Sequence, residues 1–251
     1  MIRVGTAGWS IAAAYRPAFP DGGTHLARYA KVLPCVEINS SFYRAHARKT
    51  YRRWAQETPS GFRFAVKLPR EITHEGRLRR SREQLEAFLG QVAGLGRKLG
   101  PLLVQLPPSL AYERRAARRF FVILRERHAG AVVCEPRHPS WFEPAAEDLL
   151  LALGIGRVAA DPAIVSSAKQ PGGDRATIYV RLHGSPRKYW SRYTAEALAG
   201  WRADLRQWAR RSQVWCIFDN TAANAALANA LEISGRARGA HRAAAWPPSA
   251  D

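Results

Sequence analysis

Apolar and polar positions in this chain follow two alternating rhythms. Eight short runs are rich in β-branched and aromatic residues: Arg3–Thr6, Val36–Ser40, Arg63–Lys67, Leu102–Leu106, Val132–Arg137, Gly156–Asp161, Ile178–His183 and Val214–Asp219. Between most of them apolar residues recur at helical spacing, over Thr24–Leu33, Thr50–Glu57, Arg82–Leu99, Glu113–Arg127, Ala145–Leu153 and Ala195–Arg211, with a final helix over Ala222–Leu231. Strands alternating with helices predict parallel βαβ units. Eight such units in 251 residues predict an α/β fold of one particular kind, a single (β/α)8 TIM barrel. The gap Pro162–Asp174 reads as loop, so the helix between the sixth and seventh strands is expected to be short or missing. Residues 1–235 read as one barrel domain. Residues 236–251, rich in Arg, Ala and Pro, read as a flexible basic tail.

Side chains alternate faces along a strand, so each run can be sorted by parity. One parity is apolar throughout, which suits a face covered by helices. The other parity ends in polar or charged groups at the carboxyl end of seven strands: Glu37 and Asn39, Lys67, Gln105, Glu135 and Arg137, Asp161, Arg181 and His183, and Asp219. A purely structural barrel fills these places with branched aliphatic residues, and the carboxyl-end mouth is where barrel enzymes keep their sites. Charge inside a barrel costs several kcal/mol unless paired, so either a functional site or an internal ion-pair network is implied.

Composition narrows the classes. No stretch approaches the ~18 apolar residues of a membrane span, so no membrane partner is expected. Cys35, Cys134 and Cys216 are odd in number and form no C-x-x-C pair, which predicts inert buried thiols. With no basic-then-apolar leader before Ile2–Thr6, a cytoplasmic location is expected. The net charge of +19 keeps nucleic acid open as a partner, although the basic residues are 33 Arg and six Lys, a bias that genome composition also produces.

Within the mouth, Glu37 and Glu135 are the expected general acid/base pair, and His183 and His74 are further catalytic candidates for proton transfer. Lys67, Arg137 and Arg181 are expected to hold an anion with His183, and the neighbouring acids to keep Lys67 a charged ammonium. Trp9, Tyr43, His138 and Trp141 in mouth loops, with Asn39, Gln105, Asp161, Asp219 and Asn220, complete the expected substrate-binding set. No metal ligand and no cofactor is assigned. A multinuclear zinc site is disfavoured by the cations, while one Mg2+ or Mn2+ on Glu135, Asp161 and Asp219 stays compatible with the donors. The oligomeric state is not legible.

The strand-end phrases carry a resemblance. They are G-T-A-G-W-S at Gly5–Ser10, V-E-I-N-S-S-F-Y-R at Val36–Arg44, F-R-F-A-V-K at Phe62–Lys67, I-T-H at Ile72–His74 and L-G-P-L-L-V-Q-L-P-P at Leu99–Pro108. E-P-R-H-P-S-W-F at Glu135–Phe142, Y-V-R-L-H-G at Tyr179–Gly184 and F-D-N at Phe218–Asn220 follow. Together they resemble the domain of unknown function 72 (YecE-like) family, over about residues 2 to 233. That resemblance implies a TIM barrel and supplies no reaction. The family barrel has been likened to those of endonuclease IV and xylose isomerase. Three functions follow as expectations. The first is an enzyme, of hydrolase or isomerase type, acting on a phosphate-bearing or nucleotide-like small anion. The alternatives are a nucleic-acid-binding protein resembling endonuclease IV, and a barrel that binds without catalysis.

Overall fold

The structure is a computed structural model, and it describes residues 1–79 and 81–236. The expected tail therefore lies, apart from Arg236, outside the described residues. Strands and helices alternate as β1 (Ile2–Thr6), α1 (His25–Val32), β2 (Cys35–Ile38), α2 (Arg48–Gln56), β3 (Arg63–Lys67), α3 (Arg82–Val92), β4 (Leu99–Gln105), α4 (Arg114–Arg127), β5 (Val132–Glu135) and α5 (Pro144–Ala152). Then come β6 (Gly156–Arg157), β7 (Ala159–Asp161), β8 (Gly172–Gly173), β9 (Thr177–Leu182), α6 (Ala195–Trp208), β10 (Gln213–Phe218) and α7 (Ala225–Ile233). Helix starts use local caps, with Thr24 and Thr194 each accepting from the backbone N–H three residues on.

This is an α/β fold whose long strands pair in parallel, but the pairing divides into two sheets rather than one ladder. The orders are β1-β10-β9-β7 and β2-β3-β4-β5-β6-β8. The sixth run splits at Val158, where the chain leaves β5 and joins β9. The other edges, β1 and β2, meet through a single Ala7–Glu37 bridge. Gly5 permits that approach, because a Cβ there would overlap the Cys35 carbonyl. Between β7 and β9 no α-helix forms. A short 3-10 turn over Ser166–Lys169 and the antiparallel pair Gly156–Gly173 take its place, as the loop-like sequence predicted.

Two cores result. The larger lies between strands and helices and holds the apolar parity, including Val36, Phe64, Val104, Val180 and Phe218. The smaller consists of Cys35, Ala65, Leu103, Val133, Val158, Tyr179, Trp215 and Ile217. Its members come from both sheets, so the two sheets face each other across it, with Tyr179 stacked on Trp215 at 6.1 Å. Every strand end that continues this inner face then points the same way along the parallel strands.

The parity assigned to the sixth run is corrected. Val158 lies in the inner core and Ala159 in the outer one. Asp161 therefore faces outward, where its Oδ2 accepts from the Tyr193 hydroxyl at 2.7 Å. Five small residues in V-A-A-D-P gave no amphipathic contrast. The deciding signal was Arg157, which turns outward onto Glu147 of α5.

Candidate functional site

Arg181, at the inner face of β9, is the hub of the carboxyl-end cluster and is fully buried. Its Nε and Nη2 donate to Glu37 at 3.1 and 2.7 Å, Nη1 donates to Glu135 at 2.6 Å, and Nη2 also reaches Asp219 at 3.0 Å. A planar fork of five N–H donors suits this division among three carboxylates. Tyr179, one inward position earlier on the strand, donates its hydroxyl to Glu37 at 2.8 Å.

A second layer sits around His183. Its Nδ1 lies 3.0 Å from Asp219 and its Nε2 lies 2.8 Å from Glu135. Arg137 pairs with Glu135 at 3.0 Å and donates to the Tyr189 hydroxyl at 3.2 Å. Gly184 makes the turn that brings Tyr189 back, at a φ of 94° where a Cβ would crowd Ser191 and Asn220. Tyr189 itself holds a left-handed φ of 69° and sets its ring edge-on to His183 at 5.5 Å.

These contacts set the charge states. Burial pushes the Glu135 carboxyl up, but Arg137, Arg181 and His183 outweigh it and hold the group well below the carboxylate range. Asp219 is likewise raised by burial and drawn further down by Arg181, His183 and Lys67, to about 2. Both are fixed anions at neutral pH.

Lys67 is different. Its Nζ lies 3.9 Å from the centre of the Phe42 ring, and no carboxylate lies within ion-pair distance among the described residues. Burial first, and Arg181 second, lower its pKa to about 8 against the pull of Glu37, Asp219 and Glu135. Lys188, half-buried near Arg137, is lowered to about 8 by the same two kinds of cause, burial and then the charge of Arg137. Burial, Lys67, Arg70 and Arg137 drive His74 down to about 4, so it is neutral at pH 7. The expectation that neighbouring acids would dominate Lys67 is thus corrected in direction, although at about 8 the group is still mostly an ammonium at pH 7. Those acids are already engaged by Arg181, Arg137 and His183.

The family model described as protein of unknown function DUF72 matches residues 3–250. The chain belongs to the DUF72 family. It is 29% identical over 170 residues to the UPF0759 protein YecE of Escherichia coli (strain K12), covering 66% of this chain and 60% of that protein's length. It is 24% identical over 265 residues to the UPF0759 protein YunF of Bacillus subtilis (strain 168), covering 93% of each. In structure it resembles a DUF72 family protein from Enterococcus faecalis V583, with a TM-score of 0.80 at 19% identity over the whole of both chains. It also resembles one from Thermotoga maritima MSB8, with a TM-score of 0.78 at 24% identity over 95% of this chain and 99% of the other. These likenesses establish the fold.

On this DUF72 chain the cluster brings together Glu37, Lys67, Glu135, Arg137, Arg181, His183 and Asp219, with His74 and Phe42 stacked edge-on at 4.8 Å beside Lys67. Asn39 adds a buried Oδ1 without a hydrogen-bond partner among the described residues. Gln105 donates to the Leu106 carbonyl at 3.2 Å, and Tyr43 stands exposed at the rim. Other expected members are engaged in contacts outside the cluster. Trp141 is buried, donates to the Leu110 carbonyl at 2.9 Å and packs on Tyr112, so it is not a stacking surface for a ligand. His138 caps the turn over Pro139–Phe142 through Ser140. Asn220 is fully buried and ties Ser191 to Asn229, and Trp9 packs edge-on against Trp54. With Asp161 facing outward, the expected carboxylate trio for Mg2+ or Mn2+ is not assembled. Among the described residues no group of three or more His, Cys, Asp or Glu is placed to hold a metal.

Sequence reasoning missed Lys188 and Tyr189. Both sit in the loop after β9, where no periodicity marks a residue, and only the aromatic-next-to-basic pair K-Y hinted at them. No helix among the described residues is long and apolar enough to cross a membrane.

Proposed function

We propose that the carboxyl-end cluster is the active centre of an enzyme acting on a small anionic substrate, and that the two sheets are halves of one (β/α)8 barrel joined at Val158 and at the Ala7–Glu37 bridge. One observation carries the functional reading. The three inner carboxylates are consumed by Arg181, Arg137 and His183, which leaves Lys67 and Lys188 as buried or half-buried cations with no carboxylate partner among the described residues. Such a surplus is costly without a counter-charge, and a bound anion supplies one. Arg137 contributes a buried Nε with no acceptor among the described residues.

In this reading Glu37, Glu135, Asp219, Arg181 and His183 form a hydrogen-bonded frame. Arg137 and Lys188 hold the anion. Lys67 moves a proton at the reacting centre, since a group titrating near working pH is an efficient general acid/base. The three free, buried thiols Cys35, Cys134 and Cys216 support placing the protein in a reducing compartment. Incubation with mixed phosphorylated and carboxylated metabolites, read by mass spectrometry, tests the enzyme claim. One compound should be depleted by the wild type and spared by Lys67→Met. Equal depletion by both would remove Lys67 from the chemistry.

A nucleic-acid reading is supported by the +19 charge and by exposed Tyr189 and Trp190, with Arg187 over the Trp190 ring at 4.5 Å. It requires binding to DNA or RNA with a steep salt dependence.

A further inference from the structure

We infer that Lys67 is a covalent nucleophile that condenses with the carbonyl carbon of a small anionic aldehyde or ketone. This rests on the anionic-substrate reading above and names the substrate class within it.

A lysine that only binds anions gains by staying a charged, well-hydrated ammonium. The amine of Lys67 instead lies against the Phe42 ring, the residue is about as buried as the hydrophobic core around it, and the fully buried Arg181 guanidinium of β9 acts on it as a like charge. The charged groups that face it are Glu37 from β2, Glu135 from β5, Arg181 from β9 and Asp219 from β10, with His74 from the turn after β3. The three acids are spent on other cations, so desolvation and like charge decide, and both favour the neutral amine. An amine shifted by desolvation toward its neutral form, at the carboxyl end of a parallel strand and beside cations that can anchor an anionic tail, is arranged for imine chemistry.

The step balances without an outside reagent. The neutral Nζ attacks the carbonyl carbon, and the carbonyl π pair moves to oxygen to give a carbinolamine. The proton that the ammonium released to solvent returns to the carbinolamine hydroxyl, which leaves as water while the nitrogen pair forms the C=N bond. From the ammonium, one carbonyl compound enters, one water leaves, and the product is a protonated imine of the same charge.

Glyoxylate with sodium cyanoborohydride tests this directly, because hydride reduction of the imine leaves a stable carboxymethyl group on the lysine. Peptide mapping should find Lys67 modified roughly ten-fold faster than the exposed Lys31 and Lys49, with saturation in glyoxylate. Labelling of Lys67 no faster than of Lys31 and Lys49 would overturn the inference. Oxalate, a dianion without a reactive carbonyl, separates the two claims. If oxalate binds through Arg137 but glyoxylate does not label Lys67, the nucleophile is refuted and the anion site stands. If neither binds, both are refuted.

Discussion

Arg181 grips Glu37 with a two-pronged contact, Nε and Nη2 donating to the two carboxylate oxygens at 3.1 and 2.7 Å, and neither side chain reaches solvent. The same guanidinium also holds Glu135 and Asp219. Three acids on three different strands are thereby fixed to a fourth strand, which links the charge balance of the site to the integrity of the two facing sheets.

Removing that hub leaves three buried carboxylates short of a cation. Arg181→Met should cost about 3–5 kcal/mol at pH 7, the usual penalty for orphaning a buried ion pair. Urea denaturation measures it. The penalty should shrink at acidic pH, where the stranded carboxylates can take up protons.

Asp219 makes the acid limb explicit. Its folded pKa, about 2, is below the ordinary 3.8. A depressed carboxylate contributes stability that is fully present above the unfolded value and is lost as pH falls through the folded one. Asp219→Asn should therefore cost about 2 kcal/mol at pH 7 and almost nothing at the lower pH limit. Denaturation curves of the two proteins against pH check the convergence.

Lys67 has the opposite sign at neutral pH. A lysine lowered from 10.5 to about 8 binds its proton less tightly when folded, so its ammonium destabilises the fold below pH 8. That penalty is relieved between pH 8 and 10.5. Replacement by an apolar side chain of similar length, Lys67→Met, should raise stability at pH 7 by about 1–3 kcal/mol, with the gain fading towards pH 10.5. A variant less stable than the wild type at pH 7 would show that the amine is compensated inside the fold.

Much of this was legible in the chain. Parity sorting places Glu37, Lys67, Glu135, Arg137, Arg181, His183 and Asp219 on one face because one parity of their strands is apolar throughout, which leaves the polar strand ends to the other. It failed where contrast was absent, in the V-A-A-D segment, and put Asp161 on the wrong side of the sheet. Trp141 failed for another reason, since an aromatic in a loop reads the same whether it meets a ligand or packs on Tyr112. How the cations divide among the acids is a matter of distance, and strand patterns carry none. It therefore took the structure to reveal that Arg181 is saturated while Lys67 is not.

Asp161 turns that correction into a measurement. Its carboxylate accepts from Tyr193 outside the cluster. Asp161→Asn should cost about 1 kcal/mol of stability, a typical net hydrogen-bond value, and leave anion affinity unchanged. A large loss of affinity would return Asp161 to the site.

The central claim is that the carboxyl-end cluster carries surplus positive charge for an anion. Calorimetric titration with oxalate near pH 8, in buffers of different ionisation enthalpy, tests it most directly. Lys67 and Lys188 are each partly deprotonated there, and a bound anion favours their charged forms. Binding should therefore be accompanied by proton uptake, and Arg137→Gln should weaken it about ten-fold or more, as loss of a charge-assisted contact does. Binding without proton uptake and indifferent to Arg137→Gln, or no binding at all, would contradict the claim.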